Sequence, residues 1–476
     1  MSRHPRRPGL WRLAPLVVLM VVSGCASPAA SSPSATAPSP SATAPAATTS
    51  PAGEIRIGAV FPLASNAGGL AEEELAGVQA AADFVDADGG IDGRRIVLDV
   101  QDLEPGMDAT AVMSGLKAAG AVAVIGAYAS ALSIPASRAA SDAGLVYWEA
   151  GAVADRLTGR GLPLVFRIGA SGTNLGVTSA EFAATQLAPR LSRTAAQLRV
   201  AVVSADDDYA RSVADAAAGA ARTAGTPVVA RLTYDLTVPD WTGVMRELKA
   251  AVPDVIILAS HIPDGVAFRR AMLAADLHVG ALIGSTMAEC DPDFAGDLGP
   301  DAVGVFASDR PTGGFQPSAL DPAARALYDR FAATWAKRAN GSGTSDGYDT
   351  TAPGASPSEY TISGPVEAGT AAAGPSEEGL SGFSAAWALF HDVLPAAARS
   401  GSLDTGTIAA AARSIDLPAG SLPNGAGVHF SADPATLGQN ERAAAVIWQW
   451  QAVRSYTFVW PSTYQTGQIA FVPLVR

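Results

Sequence analysis

Apolar and polar residues alternate along the chain from Glu54 onward in a way that predicts strands followed by helices. The stretch "EIRIGAVFPL" is typical of a buried strand, and "RRIVLDVQD" and "AVAVIGA" follow the same pattern. Between them, "AEEELAGVQAAADFVDADGG" and "MDATAVMSGLKAAG" place apolar residues at helical spacing and end in glycine. Repeated strand–helix units predict a parallel sheet with helices on both faces.

The pattern starts again after residue 170. "LRVAVVSADDD", "DVIILASH" and "ALIGS" are each followed by a helical stretch, and "GVHF", "AAAVIWQWQ" and "YTFVWP" read as strands that complete the second sheet. The sequence therefore predicts an α/β fold of two doubly wound parallel-sheet lobes, joined by a hinge with a ligand cleft between them. The predicted first lobe comprises residues 54–170 and 306–425, and the second comprises 171–305 and 426–476.

The N-terminal region has the features of an export signal. Four arginines precede "LAPLVVLMVV", an apolar run of ten residues that is far shorter than the roughly 20 needed to span a bilayer. The following "VSGC" resembles the lipobox of bacterial lipoproteins, which implies a signal peptide at 1–24 and a lipid anchor on Cys25. Residues 25–53 are rich in Ala, Ser, Pro and Thr, as expected of a flexible tether; an ordinary cleavage site beside an incidental cysteine is the alternative.

Charge and cysteine content exclude several classes of function. The 476-residue chain is 48% hydrophobic and has a formal net charge of −13, and removal of residues 1–24 would leave 28 basic and 45 acidic side chains. Such a surface repels phosphate backbones and anionic membranes, so we expect no nucleic-acid partner and no membrane contact except the anchor. Cys290 is the only other cysteine, so a lipidated Cys25 leaves no internal disulfide.

An insertion interrupts the predicted first lobe at residues 340–380. This stretch contains Gly, Ser, Thr, Pro and Ala but no Lys or Arg, so it cannot bury enough apolar surface to offset the entropy of ordering. We expect a mobile acidic loop in which Glu377 and Glu378 have no fixed geometry.

Several strings together resemble one known family. These are "IRIGAVFPL", "GGIDGRRI", "VIGAYASALSIPAS", "LTGRG", "DDDYARSVA" and "GQNERAAAVIWQW", in this order. They are similar to the branched-chain amino acid-binding proteins, the type I periplasmic binding proteins that serve ABC transporters. The resemblance covers most of residues 54–451 and implies closure of two lobes over a small solute, which a monomer then delivers to a membrane permease.

The resemblance places candidate ligand-binding residues at strand ends of the first lobe. Ser130 in "GAYAS" matches a serine that offers its hydroxyl at a helix N-terminus, although a simple helix cap is the alternative. Tyr128 could contact the ligand or serve only in packing. In "YWEAGAVADR" the family's threonine is missing, but Gly151 can donate its backbone N–H. Glu149 adds a carboxylate to the site, unless it lies in a solvated loop or forms a pair with Arg156.

Further candidates follow strands of the second lobe. Tyr209 matches a tyrosine that lies against the ligand in the family, and His261 falls where relatives carry a cleft aromatic, although a lone histidine is often structural. Thr286 stands where the family has an acid for the ligand's ammonium group, with Glu289 three residues further on. We therefore expect a small polar metabolite, either an amino acid, an amide or a small organic acid. The acids at 206–208 read as a solvated turn.

No enzyme or metal signature stands out. The sequence has no HExxH or CxxC motif and no Walker loop, "GFSAA" lacks the closing glycine of a nucleophile elbow, and the five histidines are scattered singly. We therefore expect neither catalysis nor a cofactor or metal. Two functions remain open at this point: a lipid-anchored receptor on the extracytoplasmic face that delivers a solute to an ABC importer, and a tethered sensor of the same fold that relays closure to a signalling partner.

Overall fold

The structure is a computed structural model. It describes residues 53–64, 68–286, 292–339, 374–453 and 455–474. Outside the described residues lie the predicted signal peptide, Cys25, the tether up to residue 52, Glu289, Cys290 and residues 340–373 of the predicted insertion. Within the described ranges, no helix is both long and apolar enough to cross a membrane.

Strands and helices alternate as the sequence predicts. The strands are β1 (Glu54–Phe61), β2 (Arg95–Asp102), β3 (Ala123–Gly126), β4 (Val146–Glu149), β5 (Val165–Arg167), β6 (Val200–Ala205), β7 (Val228–Tyr234), β8 (Val255–Ala259), β9 (Ala281–Ser285), β10 (Phe306–Asp309), β11 (Val446–Ala452) and β12 (Ser455–Trp460). The helices are α1 (Gly68–Ala87), α2 (Ala109–Ala118), α3 (Ser130–Asp142), α4 (Gly172–Phe182), α5 (Ala188–Arg190), α6 (Asp208–Thr223), α7 (Trp241–Ala251), α8 (Ile262–Ala274), α9 (Pro292–Leu298), α10 (Pro322–Ala339), α11 (Glu377–Trp387), α12 (Leu394–Arg399) and α13 (Thr405–Ser414).

The first lobe is built on a parallel sheet with the strand order β2-β1-β3-β4-β5. Every residue of β3, β4 and β5 is buried, because helices cover both faces of the sheet. The parallel arrangement brings the carboxyl ends of β3 and β4 to the same edge. The loops that carry Tyr128 and Gly151 therefore lie side by side.

The second lobe contains a sheet with the order β12-β11-β10-β9-β8-β6-β7. Strands β7, β6, β8, β9 and β10 are parallel, whereas β11 pairs antiparallel with β10 and with β12. Only residues 453–454 separate β11 from β12, and a connection that short permits only an antiparallel pair. The predicted parallel sheet is thus confirmed for its centre, and an antiparallel pair extends one edge.

Two predictions about the later part of the chain are wrong. The "GVHF" stretch does not join the second sheet and makes only isolated bridges, Leu417 with Val428 and Phe430 with Asn440. Residues 374–380 are not part of a mobile loop, because Glu377 and Glu378 begin α11 and are buried. Composition did not predict this helix, because its first turn is acidic although the helix lies in the interior.

The helices after residue 306 complete the first lobe. Helix α11 crosses α1 so closely that a Cβ at Gly77 would lie 2.1 Å from the carbonyl oxygen of Gly379. The ring of Phe383 stacks on that of Phe331 with centroids 4.0 Å apart, which ties α11 to α10. The chain therefore passes from the first lobe to the second and back, as expected for a hinged pair of lobes.

Candidate functional site

A cavity of about 430 Å³ lies between the carboxyl ends of the two sheets. Its walls are formed by the loops and helix starts that directly follow β3, β4, β6, β8, β9 and β10. Ligands of open α/β sheets bind at this edge, because loops from neighbouring strands converge there. Six of the seven candidate ligand-binding residues line this cavity: Tyr128, Ser130, Gly151, Tyr209, His261 and Thr286.

Ser130 presents its hydroxyl at the start of α3. Its Oγ accepts the backbone N–H groups of Val153 at 3.2 Å and Ala154 at 3.1 Å. Because both lone pairs of this oxygen already accept hydrogen bonds, the side chain can act towards a ligand only as a donor, through its O–H. The N-cap of α3 is Ala129, so Ser130 is not the helix cap; it joins two loops of the first lobe and can donate a hydrogen bond at the positive end of α3.

Glu149 lies behind the cavity wall and not on it. It is fully buried, and its Oε1 accepts the N–H groups of Gly151 at 3.0 Å and Ala152 at 2.8 Å, while Oε2 accepts from the hydroxyl of Tyr147. Burial raises the pKa of Glu149 to about 7, and the donors of Ala152 and Gly151 limit the rise. Its carboxyl group holds the loop that lines the cavity.

This arrangement corrects two expectations about the loop after β4. The backbone N–H of Gly151 donates to Glu149, so it is not available to a ligand. Arg156 does not pair with Glu149; its Nη1 lies 2.8 Å from Oδ2 of Asp208 on the second lobe. Arg156 extends across the mouth of the cavity, and the sequence could not show this because the partners are 52 residues apart.

Tyr209 forms part of the second-lobe wall with its ring, and its hydroxyl points to the strand ends. The hydroxyl lies 3.0, 2.5 and 2.6 Å from the carbonyl oxygens of Ser260, Ser285 and Thr286. These carbonyls end the neighbouring strands β8 and β9, so Tyr209 holds the two loops together. Its contribution to a ligand is an aromatic surface.

His261 and Asp207 form a pair on the same wall. Nε2 of His261 lies 3.0 Å from Oδ2 of Asp207, and its Nδ1 lies 3.9 Å from Asp264. Although burial alone would lower it, the hydrogen bond and charge of Asp207 raise the pKa of His261. Asp207 is the N-cap of α6, where its Oδ1 accepts the N–H of Ala210. The acids at 206–208 are thus partly structural, and two of them, Asp207 and Asp208, line the site.

Arg310 reaches the cavity from the position directly after β10. Its Nη1 donates to the carbonyl oxygen of Gly151 at 2.9 Å, and its guanidinium is ion-paired with Glu377. Although burial alone would lower it, the carboxylates of Glu377 and Asp309 hold the pKa of Arg310 well above its usual range. Arg310 therefore stays charged and links the end of β10, in the second lobe, to the first lobe.

Glu74 adds a further acid below the cavity floor. It is fully buried on α1, and a Cβ at Gly151 would lie 2.0 Å from its Oε2. Burial, followed by the charge of Glu149, raises the pKa of Glu74 well above its usual range.

Sequence reasoning missed several cavity residues. They are Ala129, Ala131, Ile134, Ala152, Val153, Arg156, Asp207, Asp208, Arg211 and Arg310. A positional signal could have found Arg310 and Asp207, since each lies within two residues of the carboxyl end of a predicted strand. In the described ranges, no group of three or more His, Cys, Asp or Glu side chains is placed to hold a metal ion.

The two-lobed α/β architecture with an interlobe cavity defines a solute-binding class of protein. A sequence model of the family described as "Periplasmic binding protein" matches residues 54–352, and the chain belongs to this family. The family match and the two-lobed fold confirm the resemblance drawn from the sequence. Members of the family are substrate-binding proteins rather than enzymes.

Curated relatives agree with the family. "Leu/Ile/Val-binding protein homolog 8" of Brucella abortus (strain 2308) is 28% identical over 426 residues, which is 89% of this chain and 94% of the relative. "Leu/Ile/Val-binding protein homolog 7" of Brucella melitensis biotype 1 is 29% identical over 236 residues, which is 49% of this chain and 58% of that relative.

Solved structures share the fold. An ABC transporter substrate-binding protein from Desulfitobacterium hafniense in complex with Leu aligns with a TM-score of 0.62 and 21% identity, covering 85% of this chain and 100% of that one. A solute-binding protein from R. palustris in complex with benzoate aligns with a TM-score of 0.60 and 17% identity, covering 87% and 98%. At these identities the likeness concerns the fold.

Proposed function

We propose that this chain is an extracytoplasmic, lipid-anchored solute-binding protein that captures a small polar metabolite and delivers it to an ABC importer. The observation that carries the proposal is the cavity, whose walls come from both lobes at the carboxyl ends of both sheets. A solute held between two lobes stabilises the closed form, because it contacts both walls only there. A permease can then distinguish the loaded protein from the empty one.

The solute belongs to the class of amino acids, amides or small organic acids. The cavity offers a hydroxyl donor from Ser130 on one side, an aromatic face from Tyr209 on the other, and apolar side chains such as Ile134 of α3. Relatives of the same fold hold Leu in one case and benzoate in another, both carboxylates of similar size. The protein acts as a monomer and releases its solute chemically unchanged.

A copurification experiment tests the proposal. The full chain, expressed in an exporting bacterium, is purified and denatured, and the released small molecules are identified by mass spectrometry. We expect one solute, which rebinds to the refolded protein and is recovered intact. Recovery of a chemically altered product, or of a protein that binds no small molecule, would contradict the proposal.

Two substitutions test the cavity itself. Ser130→Ala removes the hydroxyl, and Tyr209→Ala removes the opposite wall; each should weaken binding of the copurified solute about tenfold or more by titration calorimetry. Thr223→Val, at the exposed end of α6, is the matched control and should bind as wild type does. Wild-type affinity in both cavity variants would remove these residues from the site.

The lipid anchor is tested separately. Wild-type protein should fractionate with membranes, and Cys25→Ser should move to the soluble fraction while its solute affinity stays the same. A membrane-bound Cys25→Ser protein would refute the anchor and leave solute capture untouched.

A further inference from the structure

The hydroxyl of Thr286 is a buried polar group on the second-lobe wall of the cavity. Thr286 is 1% exposed, and its Oγ1 has no hydrogen-bond partner among the described residues. A buried hydroxyl without a partner costs about 1–3 kcal/mol, so a ligand that supplies a partner binds more tightly. A hydroxyl can both donate and accept, which suits a neutral polar group.

Among the described residues, two carboxylates line the cavity, Asp207 and Asp208, and both oxygens of Asp207 are engaged. Oδ1 accepts the N–H of Ala210 at 2.7 Å, and Oδ2 lies 3.0 Å from Nε2 of His261. An ionised carboxylate only accepts hydrogen bonds, so Nε2 carries the proton. A ligand ammonium would compete with both of these donors for Asp207.

Asp208 is the other carboxylate, and two guanidinium groups share it. Arg156 Nη1 lies 2.8 Å from Oδ2, and Arg211 Nη2 lies 3.5 Å from Oδ1. One negative charge between two positive ones leaves the mouth of the cavity positive. Arg310 also lines the cavity. Because its guanidinium is ion-paired with Glu377, it leaves the positive charge of the mouth unchanged.

The first-lobe wall also favours an anion. Ser130 offers only its O–H proton, because its oxygen already accepts the N–H groups of Val153 and Ala154. It lies at the N-terminus of α3, a helix of 13 residues whose dipole places partial positive charge there. The cavity thus has a donor end for a carboxylate and, across from it, a neutral hydroxyl.

We infer that the site selects a monoanionic carboxylate whose second polar group is neutral, such as a hydroxyl or carbonyl, over the corresponding α-amino acid. The inference rests on the proposed function, because it names the solute class of the same cavity. An ammonium group on this wall would be buried among carboxylates that already have partners, and an unpaired buried charge is strongly disfavoured. A hydroxyl or carbonyl oxygen would instead satisfy Thr286.

Matched pairs of probes test this inference on the full chain after removal of copurified solute. Each pair shares its carbon skeleton and carboxylate: L-leucine with (S)-2-hydroxy-4-methylpentanoate, and L-phenylalanine with (S)-3-phenyllactate. By titration calorimetry, we expect the affinity for the hydroxy acid to be at least about tenfold higher than that for the amino acid in at least one pair. The inference is overturned if the amino acid binds as well as or better than its hydroxy acid in both pairs, or if neither hydroxy acid binds.

Two substitutions at one position identify the residue responsible. Thr286→Val keeps the shape and removes the hydroxyl, so it should reduce the hydroxy-acid preference about tenfold while the protein stays folded by circular dichroism. Thr286→Glu supplies an acid and should shift the preference towards the amino acid. Unchanged preferences in both variants would exclude Thr286 as the specificity residue. Reversible binding of both amino acids at least as tight as that of their hydroxy acids would refute this inference and still leave solute capture standing.

Discussion

Glu149→Gln is the substitution that most directly tests how the cavity loop is held. Glu149 is fully buried. Its carboxyl oxygens accept hydrogen bonds from the N–H groups of Gly151 and Ala152 and from the hydroxyl of Tyr147. Glutamine keeps an oxygen that can accept the two backbone N–H groups but cannot ionise. The substitution therefore removes the titration and keeps the main contacts of the loop.

The magnitude follows from the pKa of Glu149, which burial raises from 4.5 to about 7 in the folded protein. The folded state holds the proton more tightly than the unfolded chain, so this group adds stability at low pH. That contribution is lost as the pH rises from about 4.5 to about 7, because ionisation then favours unfolding. A shift of this size corresponds to about 3 kcal/mol in the free energy of unfolding.

The assay is urea denaturation followed by tryptophan fluorescence at a series of pH values between about 4.5 and 8.5. Wild-type protein should lose about 2–3 kcal/mol more stability over this range than Glu149→Gln does. The charge of Glu149 also raises the pKa of Glu74, so the comparison reports the titration of Glu149 together with its effect on Glu74. Glu181→Gln, an exposed position on α4, is the matched control and should follow the wild-type curve.

Parallel stability curves for wild type and Glu149→Gln would refute this reasoning. Such a result would mean that Glu149 ionises in the folded protein as readily as in the unfolded chain, and that the loop donors offset its burial completely. An equal change in Glu181→Gln would instead assign the effect to surface charge.

Two further substitutions address the charges around the cavity. Arg310→Met leaves Glu377 buried without its cation and should lower the free energy of unfolding by about 3–5 kcal/mol in urea denaturation. His261→Asn should abolish a pH dependence of hydroxy-acid affinity. In wild type, the affinity for the hydroxy acid should increase as the pH falls through the raised pKa of His261, because the ring then becomes cationic and attracts the carboxylate. The groups that face this ring are Asp207, Asp264 and Tyr209.

Each of these expectations has an outcome that contradicts it. For Arg310→Met, a loss below about 1 kcal/mol would show that the buried acids take up protons and need no cation. For His261→Asn, a pH dependence identical to that of wild type would assign the titration to another group.

The candidate site could be located from sequence because its residues follow strand ends. Parallel strands have their carboxyl ends at a common edge of the sheet. Ser130, Tyr209 and Thr286 could therefore be expected near one another, although up to 156 residues separate them. The role of each residue could not be inferred in the same way. Glu149 and Tyr209 both turn their polar atoms towards the protein, and that choice depends on neighbours from other loops.

Buried charge was the feature least visible in the sequence. Glu377 and Glu378 follow a stretch of Gly, Ser and Pro, and composition assigns them to the same solvated segment. In the structure they lie beside Arg310, which directly follows β10 of the other lobe and precedes Glu377 by 67 residues. Only this long-range partner makes their burial tolerable, because an isolated buried carboxylate would be strongly disfavoured.

By itself, the sequence determined the strand–helix order, the two sheets and the edge at which a solute would bind, because these depend on local periodicity and on the geometry of parallel strands. The tertiary structure alone decided which polar atoms face the cavity and which face the protein. It pairs Arg156 with Asp208, His261 with Asp207 and Glu149 with its own loop, and leaves the hydroxyl of Thr286, a cavity residue, without a partner among the described residues. Hydrogen bonds and charges act over a few ångströms, so residues distant in sequence set them.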